Sequence, residues 1–431
     1  MGNYLFGCVA DDFTGASDVA SFLADAGLKT VLVNGIPSEG WNAEEGIQAI
    51  VIALKTRTMP VKEATDISLK AFLWLKHAGA RKLYFKYCST FDSTREGNIG
   101  PVIDAVFERF SLPYTVLCPS LPVNGRTVKG GSLFVYGVPL HESHMKDHPL
   151  TPMWDSRIQE LMKAQGKFPC IMAAEDTLTD VAECARLKEQ LDGITKKGEH
   201  VYLVPDYYEE EHGEIIAETF RDLDFFTGGS GLAGAIGKLL AAGLNENQNG
   251  NLEDHPVAAE QTEQKAILLA GSCSAITLKQ IQTYQKAGHP SYRIRPLALI
   301  TGEGDEEDIW QWAKAQKGVP LLYSSAPSQE ILDNQKAGKE MVSSRLEQTM
   351  AHIAVRAAEE GYTSIIVAGG ETSGAVTQAL GCKSYYIGKS VAPGVPVMVP
   401  LERPELRLVL KSGNFGQEDF FEKAIELTAN V

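Results

Sequence analysis

Short apolar runs alternate with amphipathic stretches along most of this chain, and that rhythm constrains the fold more than any other feature. An apolar run of about five residues is too short for a helix and reads as a strand buried on both faces; the amphipathic stretch after it reads as its covering helix. Tyr4–Ala10, Thr30–Val33, Ala49–Leu54, Lys82–Tyr87, Tyr114–Leu117, Cys170–Ala173 and Val201–Val204 are expected strands. Ala16–Ala26, Val61–His77, Pro101–Phe110 and Val181–Leu191 are the helices expected between them. The rhythm resumes with strands at Ala266–Ala270, Tyr292–Ile294, Val319–Tyr323, Ser364–Ala368, Val397–Met398 and Leu406–Leu410, and with helices that include Ile276–Ala287 and Lys339–Glu360. Such βαβα alternation predicts an α/β fold of mainly parallel sheet flanked by helices.

At 431 residues the chain exceeds one ordinary core, so two or three domains are expected. The clearest break is Asn245–Gln264, which is polar, acidic and without a hydrophobic period. It divides the chain into domains 1–244 and 265–431 joined by a linker, 245–264. The net charge of −15 argues against a nucleic-acid partner, which leaves a basic footprint, but tolerates a small anion in a locally positive pocket. Seven cysteines, none in a C-x-x-C pair, fit no disulfide framework and point to a reducing compartment. The N-terminal segment reaches two aspartates within a dozen residues and reads as a first core strand. No stretch approaches the roughly 18 apolar residues of a membrane span, so a cytoplasmic location is expected.

In parallel α/β sheets ligands gather at the carboxyl ends of strands, where turns and helix N-termini supply backbone N–H groups. Asp11 and Asp12 leave the first strand immediately before a Thr-Gly turn and a helix. Either suits binding substrate hydroxyls, holding Mg²⁺ or accepting a proton, and either suits capping the helix. Lys86, Asp92, Ser93, Thr94 and Arg95 follow another strand, and Arg57 follows a third. Cations, hydroxyls and a carboxylate in one cluster match a polyhydroxy acid.

Residues 119–152 form a long excursion punctuated by Gly and Pro. Its His141, His144 and His148 invite a zinc reading, but Pro149 interrupts them and no cysteine is near; Asn124, Arg126 and His148 are better taken as pocket-lining groups. Thr227–Gly234 contains G-x-G-x-x-G, weak support for a dinucleotide without an acidic partner in a second strand. The overlapping GLAGAIGK is no P-loop, because Leu239 follows Lys238 where Ser or Thr is needed. Three more Gly-rich strand ends follow, at Leu269–Ser274, Val367–Gly374 and Leu410–Gly416. Three in one domain suit a nucleotide polyphosphate, although each also suits a tight packing turn.

The segments VADDFTGASD, ALKTRT, KYCSTFDSTREGNIGP, PVNGRTV, HPLTPM, TGGSGL, AGSCS, GGETSGAV, APGVPV and LVLKSGNFG occur in this order from about residue 4 to 421. Together they resemble the four-carbon acid sugar kinases, and KYCSTFDST and LKSGNFG are most similar to the 3-oxo-tetronate kinase branch. The resemblance implies an N-terminal sugar-acid domain, a C-terminal nucleotide domain and an active site in the interdomain cleft. It also implies ATP-dependent phosphorylation of the C4 hydroxyl, with Mg²⁺. Carried over by motif, substrate contacts fall on Asp12, Arg57 and the turn of Asp92, Ser93, Thr94 and Arg95; Asp11 and Lys86 join them as substrate-binding candidates from the strand-end reading, and the base is Asp12, with Asp92 as the alternative. ATP contacts fall on Ser272 or Ser274, on Gly370, Glu371, Thr372 and Ser373, and on Gly413, with Gly369 a further cofactor-binding candidate. Metal ligands stay unassigned. The expected partners are a sugar acid and ATP, with no nucleic acid or membrane, and a homodimer is left open. A dinucleotide-dependent oxidoreductase and a non-catalytic sugar-acid binding protein are the competing classes.

Overall fold

The computed structural model describes residues 4–247, 265–325 and 338–429, apart from positions 39, 42, 149 and 302. The chain divides into two compact units, Met1–Gly250 and Asn251–Val431. Most of the expected linker and Pro149 lie outside the described residues. Positions 245–247 do not belong to a linker: they continue the helix Ser230–Asn247, since nothing there breaks a helix that adds one hydrogen bond per residue.

The first unit contains β1 (Phe6–Ala10), β2 (Thr30–Asn34), β3 (Ala49–Ala53), β4 (Lys82–Lys86), β5 (Tyr114–Cys118), β6 (Arg126–Lys129), β7 (Ser132–Val135), β8 (Val138–Pro139), β9 (Cys170–Ala173), β10 (Val201–Pro205) and β11 (Phe225–Gly228). Eight of them form a sheet in the order β2-β3-β1-β4-β11-β5-β10-β9. Every pairing in it is parallel. All five residues of β1 and of β3 are buried, as strands covered on both faces must be. The chain order reverses at β1, which lies between β3 and β4, and ligand sites form outside such switch points.

Part of the excursion at 119–152 forms regular structure. β6, β7 and β8 pair antiparallel as a separate small sheet. The β6–β7 turn is Gly130–Gly131, both with positive φ, the backbone a two-residue hairpin needs to match strand twist.

The second unit contains β12 (Ala266–Ala270), β13 (Ser291–Arg293), β14 (Leu321–Tyr323), β15 (Ser364–Ala368), β16 (Ser384–Ala392), β17 (Val395–Pro400) and β18 (Arg407–Lys411). Their order is β13-β14-β12-β15-β18-β17-β16, parallel as far as β18, with β17 antiparallel to both its neighbours. Leu268, Ile366, Val397 and Val409 pack with Ile281, Tyr284, Phe420 and Phe421 from the helices as its core. No helix among the described residues is long and apolar enough to cross a membrane.

Candidate active site

Strand register puts the expected substrate residues on one edge of the first unit. Ala10 lies opposite both Ala53 and Lys86, and Lys86 lies opposite Gly228, so β3, β1, β4 and β11 end level. Asp11 and Asp12, the loop to Arg57, the turn to Asp92, and Ser230 therefore leave from adjacent points.

Arg57 ties these ends together. Its Nε and Nη2 donate to the two oxygens of Asp11 at 2.9 and 2.7 Å, and Nη2 donates to Asp12 Oδ1 at 2.8 Å. Nη1 stands 3.9 Å from Asp92 Oδ2. Asn98 holds the loop that carries Arg57, donating from Nδ2 to the carbonyls of Thr56, Arg57 and Met59. Burial works against the Arg57 charge, but Asp11 and then Asp12 outweigh it and keep the guanidinium well above its ordinary range. Burial also pushes the Asp11 carboxyl up, against the pull of Arg57.

The two aspartates are not equivalent. Asp11 has both oxygens on Arg57 and is the counter-ion that fixes it. Asp12 caps the helix Phe13–Asp25 by accepting from Gly15 N at 2.9 Å, so the capping role is real. Its hydrogen bonds all use Oδ1, which leaves Oδ2 without a partner among the described residues on a side chain that is 29% exposed. Asp12 is the carboxylate with an oxygen to offer.

Lys86 ends β4, buried, with Nζ donating to Tyr87 O at 2.9 Å. It stands 3.8 Å from Asp18 Oδ2, which accepts from Ser230 Oγ at 2.5 Å. Asp18 Oδ1 has no hydrogen-bond partner among the described residues, and burial pushes this carboxyl up against the pull of Lys86. A Cβ on Gly15 would lie 2.6 Å from Asp12 Oδ1 and 3.0 Å from Lys86 Nζ, so Gly15 is what lets these groups meet over the first helical turn. Asp18 and Ser230 were not foreseen. The available signal was an aspartate inside an otherwise small and apolar helix, and a serine in the G-x-G-x-x-G segment. The glycines of that segment serve packing: Cβ atoms on Gly229 and Gly231 would lie 2.5 Å from Pro119 O and 2.8 Å from Ser120 O.

The turn after β4 is bent by two non-glycine residues with left-handed backbone, Phe91 (φ 66°) and Asp92 (φ 37°). Phe91 is buried edge-on against Tyr87, and Asp92 Oδ1 accepts from Thr90 Oγ1 at 2.7 Å, which leaves Oδ2 facing Arg57. Ser93 Oγ donates to Gln165 Oε1 at 3.2 Å. Thr94 is half-buried and accepts from Gly97 through its carbonyl. Arg95 makes its close contact elsewhere, its exposed guanidinium lying 3.6 Å above the Trp154 ring.

Among the described residues, His141, His144 and His148 form no group with metal-ligand spacing. His141 Nδ1 bonds Ser156 Oγ and His148 Nδ1 bonds Thr151 Oγ1, separate hydroxyl partners. Among the described residues, the one group with metal-ligand spacing is Glu209, Glu211 and His212. Asn124 accepts from Arg126 through its carbonyl.

Register also levels the Gly-rich ends of the second unit. Ala270 lies opposite Tyr323 and Ala368, and Ala368 opposite Lys411. Gly271 N and Ser272 N both donate to Ala368 O, and Gly369 N donates to Lys411 O. Ser274 caps the helix Ala275–Lys286 and donates from Oγ to Gly413 O at 2.5 Å. A Cβ on Gly413 would lie 2.2 Å from Ser272 Oγ, and one on Gly271 would lie 2.1 Å from Thr372 Oγ1. Ser272, Ser274, Gly369, Thr372 and Gly413 thus converge, while Gly370 and Glu371 are exposed in the first turn of the helix Gly370–Leu380. Ser373 Oγ is buried without a hydrogen-bond partner among the described residues. Close backbone approach, hydroxyls and an orphaned polar atom at helix N-termini fit a phosphate-bearing ligand. Ser325, which donates to Ser272 O at 2.5 Å, and Lys411 and Thr277, which bond each other, were not foreseen here.

Two family models match the chain, a sugar-binding N-terminal domain over residues 6–236 and a nucleotide-binding C-terminal domain over residues 267–421. A curated 3-oxo-tetronate kinase of Haemophilus influenzae is 42% identical over 97% of this chain and 99% of its own length. A crystal structure from Salmonella typhimurium LT2, labelled a tRNA synthase, superposes with a TM-score of 0.86 at 41% identity, covering 97% of this chain and 98% of that one. A crystal structure of a Haemophilus influenzae protein gives 0.81 at 41% identity, covering 98% of this chain and 100% of that one. With both domain models matched in order and relatives of this similarity along nearly its whole length, the chain belongs to the four-carbon acid sugar kinase family.

Proposed function

We propose that this chain transfers the terminal phosphoryl group of ATP to the C4 hydroxyl of a 3-oxo-tetronate, with unit Met1–Gly250 holding the sugar acid and unit Asn251–Val431 the nucleotide. The carrying observation is the pairing of Asp12, which keeps one oxygen free, with Arg57, which fixes its other oxygen at 2.8 Å. The name of the curated relatives supports the substrate.

Phosphoryl transfer needs positioning and charge neutralisation more than covalent chemistry from the protein. Asp12 Oδ2 accepts the proton of the attacking hydroxyl, and Arg57 orients the carboxylate for it. Lys86 and Arg95 supply positive charge for the substrate carboxylate, and Asp92 and Ser93 bond its hydroxyls. The N–H groups and hydroxyls of Ser272, Ser274, Gly369–Ser373 and Gly413 hold the phosphates. Mg²⁺, when bound with the nucleotide, would supply charge neutralisation for the phosphates. The donor set fits a cation carried by the nucleotide and water, because no protein-built cage of acidic and histidine ligands stands among these residues. An RNA substrate, as the tRNA synthase label of the Salmonella structure would have it, does not suit a chain of net charge −15.

The test is ADP release with ATP and Mg²⁺ against 3-oxo-tetronates, threonates and erythronates, with mass spectrometry placing the phosphate. Release confined to an oxo-acid and phosphate on O4 is expected. Turnover with threonate or erythronate alone removes the substrate reading. Asp12→Asn is expected to lower kcat by about 100-fold or more with little change in melting temperature; near-normal turnover removes Asp12 from the role of base.

A further inference from the structure

Lys411 is the last residue of β18 and sits where the three Gly-rich ends meet. Its carbonyl accepts from Gly369 N at 2.9 Å, so the main chain is tied to the second of these ends. Its Nζ donates to Thr277 Oγ1 at 2.9 Å, Gly413 O at 3.1 Å and Ser412 O at 3.2 Å, which ties the side chain to the other two. The residue is only 1% exposed, and all three acceptors are neutral.

A buried ammonium without an anion is costly, and such lysines are kept where their charge is used. The charged groups on the elements around Lys411 do not serve it. Lys279 pairs with Glu418 and Lys423 with Asp419 at the surface, and Glu371 is exposed. Burial, with no charged neighbour to oppose it, pulls the amine down to about 7. Nor do the acceptors need it. Gly413 O already receives Ser274 Oγ at 2.5 Å and Thr277 Oγ1 at 2.9 Å, and Ser412 O receives Phe415 N at 3.4 Å. Besides these bonds Nζ lies 5.5 Å from the centre of the Phe420 ring, a partial offset and no anion; a lysine whose bonds are redundant and whose charge meets no anion among the described residues is poised for one that arrives from outside.

We propose that Lys411 is a phosphate-binding residue: its amine gives up redundant bonds to neutral oxygens and takes the polyphosphate of the bound nucleotide as its counter-ion. This rests on the reading of the second unit as the nucleotide unit. Binding then turns a partly neutral amine into an ammonium paired with phosphate, so ATP binding takes up a proton near pH 7.5, and a nucleoside without phosphates takes up none.

The experiment is titration calorimetry of the whole chain with ATP, ADP, AMP and adenosine, in buffers of different ionisation enthalpy, on the wild type and Lys411→Met. In the variant, ATP and ADP are expected to bind about 10- to 100-fold more weakly, the range of a charge-assisted hydrogen bond. Adenosine affinity is expected to stay as it was, proton uptake to vanish, and the melting temperature not to fall. Equal losses for ATP and adenosine would assign Lys411 a merely structural role, and unchanged ATP affinity would also overturn the proposal. Should the variant fold poorly, the wild type decides alone: adenosine bound as tightly as ATP refutes the inference. A wild type that binds none of the four ligands overturns the nucleotide reading itself.

Discussion

Replacing Arg57 with Met tests the ion-pair cluster on which the substrate edge depends. Methionine keeps length and apolar stem but removes three hydrogen bonds of 2.7–2.9 Å and the cation facing Asp11, Asp12 and Asp92. Removing one partner of a buried ion pair costs about 3–5 kcal/mol. Arg57 is 22% exposed and Asp12 29%, so water takes part of the load and the lower end, about 3 kcal/mol, applies. At about 2–4 °C per kcal/mol for a unit of this size, scanning calorimetry at pH 7 should show the first unit melting about 6–12 °C lower. The deficit has a direction in pH. Without Arg57, burial, helped by the Asp12 charge and opposed only by the weaker pull of Lys86, holds the folded pKa of Asp11 above the unfolded value. Such a group contributes stability below the unfolded pKa and loses it as pH rises through the folded one. The deficit should therefore be largest at pH 7 and narrow towards about pH 4. Adding Asp11→Asn should recover most of the lost stability at pH 7 and none of the activity, since Asp12 stays unoriented. A variant melting within about 2 °C of wild type at pH 7, or one that Asp11→Asn leaves unimproved, would refute the reasoning.

Gly413→Ala would set a Cβ 2.2 Å from Ser272 Oγ and 3.0 Å from Ser274 Oγ; overpacking of this kind costs about 1–3 kcal/mol. Calorimetric ATP affinity should fall about tenfold or more while binding of the sugar acid is unchanged; a loss in sugar-acid binding instead would misplace the cradle. Arg95→Ala gives up an exposed cation–π contact worth about 0.5–1 kcal/mol, so the melting temperature should move little. KM for the sugar acid should rise about tenfold with kcat held; an unchanged KM would leave Arg95 as a cover for Trp154.

What could be read from the sequence was what depends on local pattern. The expected strands Ala266–Ala270 and Ser364–Ala368 match β12 and β15 to the residue, because continuous apolar runs bounded by turns have no other good solution. The nine-residue β16 was missed: Gly, Lys and two Ser interrupt its apolar residues, and most of it is only half-buried. The small sheet of β6, β7 and β8 was read as a loop, since strands of two to four residues leave no period to detect. At the site, residues next to a strand end in sequence were found. Asp18, Asn98, Gln165 and Thr277 were not, because they arrive by tertiary packing from helix interiors, a helix N-terminus or a neighbouring loop. Lys411 had a local signal, a lone lysine closing an apolar strand, but its burial and its neutral partners appear only in three dimensions.

The left-handed pair at Phe91 and Asp92 sets stability against selection. Aspartate tolerates that backbone at some cost and phenylalanine poorly, on the order of 1–3 kcal/mol for each such residue, Asp92 at the lower end. Glycine at either position would relax it, so mutational drift under selection for stability alone runs towards losing the carboxylate that faces Arg57. A lineage that retains both residues is being selected for what the turn does. The turn is thus where a paralogue freed from the reaction should change first.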